Sequence, residues 1–185
     1  KSDFMDLCLI QNCLFYIGCQ SGPDEVARLF SKNILLVNAC SGILEPVLER
    51  DRGILKHVYS KREKRYLSVK ELITRNWEKK ILDPLTTDFD DKNDYARTEN
   101  SEGEIARAVL EYMDFLSDND LPLTSKQKEY IKYRKMQVHR LLERNRITSP
   151  ITHTDEDELI YKCRTATRME TSQGTLCAGF LEENW

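Results

Sequence analysis

Two short apolar runs stand near the start of the chain, on either side of a polar turn and an amphipathic segment. Residues 14–17 read LFYI and residues 34–37 read ILLV. Each run has the length of a β-strand that is buried on both faces, as the strands of parallel sheets are. The alternative is one long buried helix from Phe4, but Gly18 and Pro23 would interrupt or end such a helix. The pattern therefore favours two adjacent parallel strands.

The segment between the two runs predicts a turn followed by a short helix. The loop 20–23 reads QSGP, and Asp24 and Glu25 follow it. Proline suits the first position of a helix, and acidic side chains suit its positive N-terminal end. The helix is predicted over residues 24–31. Three apolar residues recur in it at the spacing of a helix that lies on a sheet: Val26, Leu29 and Phe30.

Capping patterns predict where later helices begin. Residues 68–71 (SVKE) and 101–104 (SEGE) both have the S-x-x-E pattern of a capping box, and Thr124 with Gln127 has the related T-x-x-Q pattern. The predicted elements are a helix at 3–12, a short strand within 53–59, a helix at 69–82, a polar acidic linker at 84–100, a helix at 105–116 and a long helix from 125 to 145. The inward positions of the 105–116 helix are predicted to be Ile105, Val109, Tyr112 and Leu116.

The C-terminal forty residues give two conflicting signals. Residues 159–169, LIYKCRTATRM, alternate with the period of a strand, whereas Thr154 precedes four acidic residues as at the start of a helix. The secondary structure of residues 155–181 stays open. The fold predicted for the whole chain is α/β. A Rossmann-like parallel βαβ unit occupies residues 1–85, and a mostly helical C-terminal extension, residues 86–185, packs on it.

Composition and charge narrow the function classes only slightly. The net charge of -3 gives no sign of a nucleic-acid or membrane partner, and no apolar run approaches the length of a membrane span. Of the 6 cysteines, several lie in or beside apolar runs, where free cysteine behaves as a small hydrophobic residue. We therefore expect free thiols and a reducing, intracellular compartment. Because the chain enters an apolar element almost at once, we expect it to be a piece of a longer protein.

The strand, glycine turn and helix start together predict a site for an anion. The first backbone N–H groups of a helix lack partners within the helix, and its dipole is positive there. Ser21 and Gly22 stand at that point, and ligands of open α/β sheets bind beyond the carboxyl ends of the strands. The phosphates of a nucleotide would fit. The alternative is an ordinary βα turn, in which Gly22 only allows a tight bend.

These residues carry a resemblance to a family. Residues 15–39, FYIGCQSGPDEVARLFSKNILLVNA, resemble the donor-binding segment of GT-B glycosyltransferases, in particular enzymes of polysaccharide synthesis, which have a strand, a Gly-x-x-Ser-Gly turn, a helix and a strand that ends in asparagine. Residues 53–73 and 99–113 are similar to the segments that follow in such enzymes. Residues 174–185, GTLCAGFLEENW, are similar to their closing segment. The resemblance spans most of the chain.

The resemblance implies a glycosyltransferase that moves a sugar from a nucleotide-sugar donor to a glycan acceptor, this chain being the donor-binding C-terminal half. It implies that Gly18, Gln20, Ser21 and Gly22 lie at the donor diphosphate and that Glu25 contacts the ribose or sugar hydroxyls. Heptosyltransferase-type enzymes commonly have aspartate where Gln20 stands and histidine where Glu25 stands, so the donor stays open. The catalytic base is not identified and is expected in another, N-terminal domain. No metal and no cofactor besides the donor substrate are expected, and the location is expected to be cytoplasmic, including the inner face of the membrane.

Two charged segments offer other interpretations. Residues 88–99 space acids like a calcium loop, but Lys92 and Asn93 break the pattern, so a solvated linker is favoured. The helix 126–146 carries eight basic residues against two acidic ones. Its basic face could meet phosphates, an acidic partner or the chain's own acidic residues between Asp88 and Asp120, and the last of these, a solvated face, is favoured. The alternative function is a non-enzymatic helical interaction module that docks a partner through this face. A nucleic-acid binder ranks third. The predicted buried stripe of this helix is Tyr130, Ile131, Val138, Leu141 and Leu142. The cysteines and histidines fit no common zinc or nucleophile motif, so structural roles are predicted for them.

Overall fold

The computed structural model of the protein describes residues 3–40, 46–74, 95–118, 121–148 and 173–185, and the side chains of residues 141–148 fall outside this description. The elements in chain order are α1 (Asp3–Asn12), β1 (Tyr16–Gly18), α2 (Gly22–Leu29), β2 (Ile34–Ala39), β3 (Arg52–Leu55), β4 (His57–Ser60), β5 (Arg65–Tyr66), α3 (Val69–Thr74), β6 (Tyr95–Thr98), α4 (Glu102–Ser117), α5 (Ser125–Thr148), β7 (Thr175–Leu176) and α6 (Ala178–Asn184).

A parallel sheet of four strands, in the order β1-β2-β3-β7, forms the centre of the fold. β1 and β2 are adjacent and parallel, with Tyr16 opposite Ile34, and α2 joins them. The predicted β-loop-α-β unit is therefore confirmed. The protein is a mixed α/β fold, compatible with the Rossmann-like class.

The two apolar runs differ in burial. Residues 34–36 of β2 are fully buried, as predicted. The prediction that the first run is buried on both faces is wrong, because Leu14 precedes the strand and is 73% exposed, and Ile17 within it is 41% exposed. Among the described strands, β1 lies at the edge of the sheet, with β2 as its neighbour.

A second sheet corrects two predictions. The short strand expected within 53–59 is two strands, β3 and β4, which lie in different sheets, and β4 is the middle strand of the antiparallel sheet β5-β4-β6. β6 occupies the end of the segment that was predicted to be an acidic linker, whose residues 84–94 lie outside the described ranges. The segment Tyr95–Thr98 becomes a strand by pairing along β4, from His57 to Ser60.

The C-terminal segment returns to the parallel sheet. β7 pairs with β3, and both of its residues are fully buried. Within the segment left open from the sequence, residues 175–176 are thus a strand, and residues 178–181 begin the helix Ala178–Asn184. The alternating stretch 159–169 lies outside the described residues. Because β3 and β7 come from opposite sides of the domain boundary predicted at residue 85, the sheet is built from both parts of the chain.

The predicted helix starts are confirmed by hydrogen bonds. Before α3, Ser68 N–H donates to Glu71 Oε2 over 2.9 Å and Glu71 N–H donates to Ser68 Oγ over 3.2 Å. The pair Ser101 and Glu104 caps α4 in the same way, and Thr124 with Gln127 caps α5. These side chains satisfy first-turn N–H groups that have no partner within a helix. α1 is also confirmed, whereas residues 75–82 of the predicted third helix lie outside the description.

The inward faces of the helices agree with prediction except in α2. Tyr112 of α4 is fully buried, and Ile105, Val109 and Leu116 pack on the core. In α2 the prediction for Leu29 is wrong, because its side chain is 84% exposed. The buried residues of this helix are Asp24 and Ala27. Ala27 permits close packing, and Arg28 is held toward the sheet by a salt bridge of 2.6 Å to the buried Asp51.

α5 buries its predicted stripe at Tyr130, Ile131 and Val138, while the side chains of Leu141 and Leu142 are outside the description. It also buries Arg134 completely. The Arg134 guanidinium donates hydrogen bonds to the carbonyl oxygens of Pro46 and Gly174. The prediction that Arg134 belongs to an exposed basic face is therefore wrong, because two backbone acceptors hold it inside.

None of the helices in the described ranges is long and apolar enough to cross a membrane.

Candidate functional site

The predicted phosphate-binding turn lies between β1 and α2, at the carboxyl edge of the parallel sheet. Gly18 is the last residue of β1, and Ser21 directly precedes α2 in an extended conformation. The Gln20 side chain reaches across to the end of β2, where its Oε1 accepts the Cys40 N–H over 2.7 Å. This contact ties the turn to the neighbouring strand. The structure thus brings Gly18, Gln20, Ser21 and Gly22 together at the edge where α/β proteins bind ligands.

Gly22 is the first residue of α2, and its surroundings are open. A Cβ added to Gly22 would meet no atom within 4 Å. Its backbone does not adopt the left-handed conformation that favours glycine. The tight bend therefore does not require glycine at this position. The absence of a side chain instead leaves room beside the helix N-terminus.

Gly18 has a different reason to be glycine. A Cβ on Gly18 would lie 2.8 Å from the ring of Tyr16, closer than the packed atoms of a protein can approach. The tyrosine ring folds back over the end of its own strand, and it would have to shift to admit a Cβ on Gly18. We assign Gly18 a packing role that places the turn.

Asp24 holds one of the two N–H groups that were predicted to bind phosphate. Its Oδ1 accepts the Ser21 N–H over 2.8 Å, and the Asp24 N–H donates to the Ser21 carbonyl. Burial raises the pKa of Asp24, an effect that this hydrogen bond from Ser21 and the charge of Arg28 oppose. Of the two predicted donors, the Gly22 N–H is therefore more accessible to a ligand than the Ser21 N–H. The next residue, Pro23, has no N–H and adds no donor. The S-x-x-D spacing of Ser21 and Asp24 could have indicated this contact from the sequence.

Glu25 stands beside the turn on the first turn of α2. Its side chain is 48% exposed, and its Oε1 lies 4.0 Å from Arg28 Nε. At this distance and exposure the ion pair is weak. The carboxylate is thus half-exposed within the first turn of α2, close to the helix N-terminus.

Two asparagines, whose contact was not predicted from the sequence, join β2 to the start of α4. Asn38 N–H donates to Asn100 Oδ1 over 2.9 Å, and Asn100 N–H donates to Asn38 Oδ1 over 2.6 Å. The Asn100 amide nitrogen also donates to the Leu55 carbonyl at the end of β3. Asn38 has a φ of 52°, a left-handed conformation that asparagine tolerates better than most residues. This pair fixes the carboxyl ends of β2 and β3 against α4.

His57 and Glu104 form a second feature of the same edge. His57 Nε2 lies 2.7 Å from Glu104 Oε1, and both side chains are mostly buried. Burial by itself would raise the pKa of Glu104, but hydrogen bonds from the Ser101 N–H and hydroxyl and from His57 together hold it below its ordinary value. The sequence predicted a structural role for His57 and gave no sign of this partner, which lies 47 positions away.

The strand order sets how far apart these groups lie along the edge. Gly18 ends β1, and His57 follows β3, with β2 between them. Strands spaced about 4.8 Å apart put the two features on the order of 10 Å from each other. In chemical terms, the edge offers a backbone donor with open space, a half-exposed carboxylate and a histidine paired with a carboxylate.

The described residues offer no metal-binding group and no activated thiol. Within the described ranges, no group of three or more His, Cys, Asp or Glu residues is placed to hold a metal ion. Most of the calcium-like spacing at 88–99 lies outside those ranges. Five cysteines in the described part of the chain are free thiols, and burial raises the pKa of Cys177. Cys177 is therefore a poor nucleophile.

The chain was compared with protein-family models, with curated proteins and with solved structures, and none of the three comparisons found a match.

Proposed function

We propose that this chain is the donor-binding half of a GT-B-like glycosyltransferase, with a Rossmann-like sheet, which moves a sugar from a nucleotide-sugar to a glycan acceptor. The observation that supports this most is the open space at Gly22, at the N-terminus of α2 and the carboxyl edge of the parallel sheet. A glycine that neither backbone conformation nor packing demands leaves room for a phosphate to approach the backbone.

Each residue of the turn has a role in this proposal. The Gly22 N–H and the amide nitrogen of Gln20 bind the diphosphate, because Gln20 already uses its oxygen to accept the Cys40 N–H. The Ser21 N–H joins them when Asp24 releases it. Glu25 contacts the ribose or sugar hydroxyls. The catalytic base is supplied by another domain, and no cofactor besides the donor takes part.

The substitution Gly22→Val tests the proposal directly. Since an added Cβ meets open space and φ is not left-handed, the variant should keep the parent's thermal stability. Calorimetric titration with UDP, GDP, ADP and CMP should find one nucleotide that binds the parent, and Gly22→Val should weaken it by about tenfold or more, which is about 1.4 kcal/mol.

The matched control is Gly103→Val, another glycine in the first turn of a helix, where a Cβ makes only an ordinary contact of 3.5 Å. This variant should bind the nucleotide like the parent. The proposal is wrong if none of the nucleotides binds the parent, or if Gly22→Val and Gly103→Val bind equally well.

Asp24→Asn tests the competition for the Ser21 N–H. The substitution removes a negative charge that lies 2.8 Å from this donor. Nucleotide affinity should rise, because the phosphate no longer meets a carboxylate at the helix N-terminus. An unchanged or lower affinity, in a variant that melts like the parent, would place the phosphate elsewhere.

The alternative, an interaction module that docks through the basic face of the helix 126–146, has fewer basic side chains than the sequence suggested. Lys128, Lys132 and Arg140 are exposed, whereas Arg134 is buried and Lys126 lies 2.7 Å from Glu182. Arg140→Glu should leave nucleotide binding unchanged if the first proposal holds.

A further inference from the structure

A cleft of about 320 Å³ opens at the amino edge of the parallel sheet, opposite the edge that carries the Gly22 turn. Its walls come from the segment before β3, the C-terminal end of α4, the segment before α5 and the segment before β7. Four separate parts of the chain thus converge on it. The volume lies at the lower end of the range for small-molecule sites.

Two arginines in this cleft share one aromatic ring. The guanidinium carbon of Arg52 lies 3.8 Å from the centroid of the Phe115 ring, and that of Arg50 lies 5.7 Å from the same centroid. Both distances are within the range of cation–π contacts. Two positive charges therefore meet at one point of the surface, which is unfavourable unless negative charge offsets them.

The protein supplies little of that negative charge by direct contact. Arg52 is 5% exposed, and its Nη1 donates only to backbone carbonyls, those of Glu49 and Asp51, both over 2.9 Å. Among the described residues, neither Arg50 nor Arg52 forms a salt bridge. Arg50 Nε is buried there without a hydrogen-bond partner. Burial lowers the pKa of Arg52, in keeping with a guanidinium held away from water.

Polar and apolar surfaces divide the cleft. Leu121 and Leu123 contribute an apolar part of the lining, and Leu121 is 46% exposed. Glu49 also lines the cleft, but its carboxylate is exposed and bonds neither arginine within the described ranges. A bidentate guanidinium next to an apolar wall selects a ligand that is charged at one end only.

We propose that this cleft binds a small organic anion, with a phosphate or carboxylate group on Arg50 and Arg52 and an apolar part against Leu121 and Leu123. The site is separate from the nucleotide site proposed above, because it lies at the opposite edge of the sheet. The Arg52 guanidinium is already positioned by its two backbone bonds and the Phe115 ring, so the ligand does not have to order it. Arg50, whose guanidinium contacts the same Phe115 ring, supplies the second positive charge.

The probe is phenyl phosphate, which carries a dianion on a flat apolar group, and it is titrated calorimetrically into the complete chain. Saturable binding is expected at about millimolar concentration or below. Inorganic phosphate should bind more weakly, because it cannot contact the leucines. Arg50→Gln keeps the side-chain stem and removes the charge, and it should weaken phenyl phosphate binding by about tenfold. Arg107→Gln is the matched control, because this exposed arginine of α4 pairs with Glu183 instead, and it should bind like the parent.

Several results would overturn the proposal. They are the absence of saturation up to about 10 mM phenyl phosphate, an Arg50→Gln variant that binds like the parent, or inorganic phosphate that binds as tightly as phenyl phosphate. Gly22→Val should bind phenyl phosphate like the parent. A loss of binding in Gly22→Val would move the probe to the other edge of the sheet and also refute the assignment.

Discussion

Asp51→Asn should destabilise the protein strongly, because Asp51 joins three parts of the fold with one buried carboxylate. Its Oδ2 accepts from Arg28 Nη1 over 2.6 Å and from the Leu48 N–H over 2.9 Å, and its Oδ1 accepts the Ile34 N–H over 3.2 Å. Asp51 is 1% exposed. The carboxylate thereby holds α2, the first residue of β2 and the segment before β3 together.

The expected loss follows from what asparagine cannot replace. Its single oxygen can accept from one or two of these donors, but its NH₂ group then faces the remaining one, and the charge opposite Arg28 is gone. Breaking a buried ion pair by removing one partner costs about 3 to 5 kcal/mol. Asp24 stays 3.7 Å from Arg28 Nη2 and offsets part of the loss. We therefore expect about 3 kcal/mol, a large share of the roughly 5 to 15 kcal/mol that stabilise a domain.

Urea unfolding, followed by circular dichroism and extrapolated linearly to water, measures this loss. Asp114→Asn is the matched control, because Asp114 is exposed on α4, and it should change stability by less than about 0.5 kcal/mol. A double-mutant cycle with Arg28→Met should give a coupling energy above about 1 kcal/mol. If Asp51→Asn lowers the free energy of unfolding by less than about 1 kcal/mol, or if the cycle shows no coupling, the Asp51 carboxylate does not hold α2, β2 and the segment before β3 together.

Three further substitutions test the core, the edge and the pH response. Arg134→Met should lower the free energy of unfolding by about 2 to 4 kcal/mol, because it leaves two backbone carbonyls without their charged donor. Urea unfolding measures this loss. A loss below about 1 kcal/mol would contradict the prediction. Leu35→Asp should abolish the cooperative melt, whereas Leu14→Asp, an exposed position, should melt like the parent. The pKa of Glu104 is lower in the folded than in the unfolded chain, so its stabilisation is present above its ordinary value of 4.5 and is lost as the pH falls through the folded pKa. Glu104→Gln should flatten the loss of stability, measured as urea midpoints, as the pH falls below the ordinary carboxyl value of 4.5. An unchanged slope would show that the carboxylate does not carry this loss.

Short-range patterns were enough to predict much of the framework. The helix starts at residues 68–71, 101–104 and 124–127 were predictable because each capping contact joins residues three positions apart. The β1–α2–β2 unit followed from two apolar runs and a proline-bearing turn. The position of Gly22 at a helix N-terminus was predictable for the same reason, and the chemistry of a glycine at such a place is general.

The same patterns could not predict the rotation of α2 or the burial of β1. Leu29 fits the apolar spacing of the helix, yet it is exposed, because the Arg28 contact with Asp51 turns the Asp24 and Ala27 face toward the sheet. Leu14 belongs to an apolar run, yet it lies outside an edge strand. Periodicity tells which residues share a face, but it does not tell which face finds cover.

The amino-acid sequence by itself therefore determined the parallel βαβ unit, the helix starts and the place of the predicted turn, since these depend on residues that are close in the chain. Only the tertiary structure decided that β7 joins β3, that His57 meets Glu104, and that Arg50 and Arg52 converge on Phe115. Each of these contacts joins residues more than forty positions apart along the sequence. Local spacing carries no information about such partners, because their meeting depends on how the whole chain closes around its core.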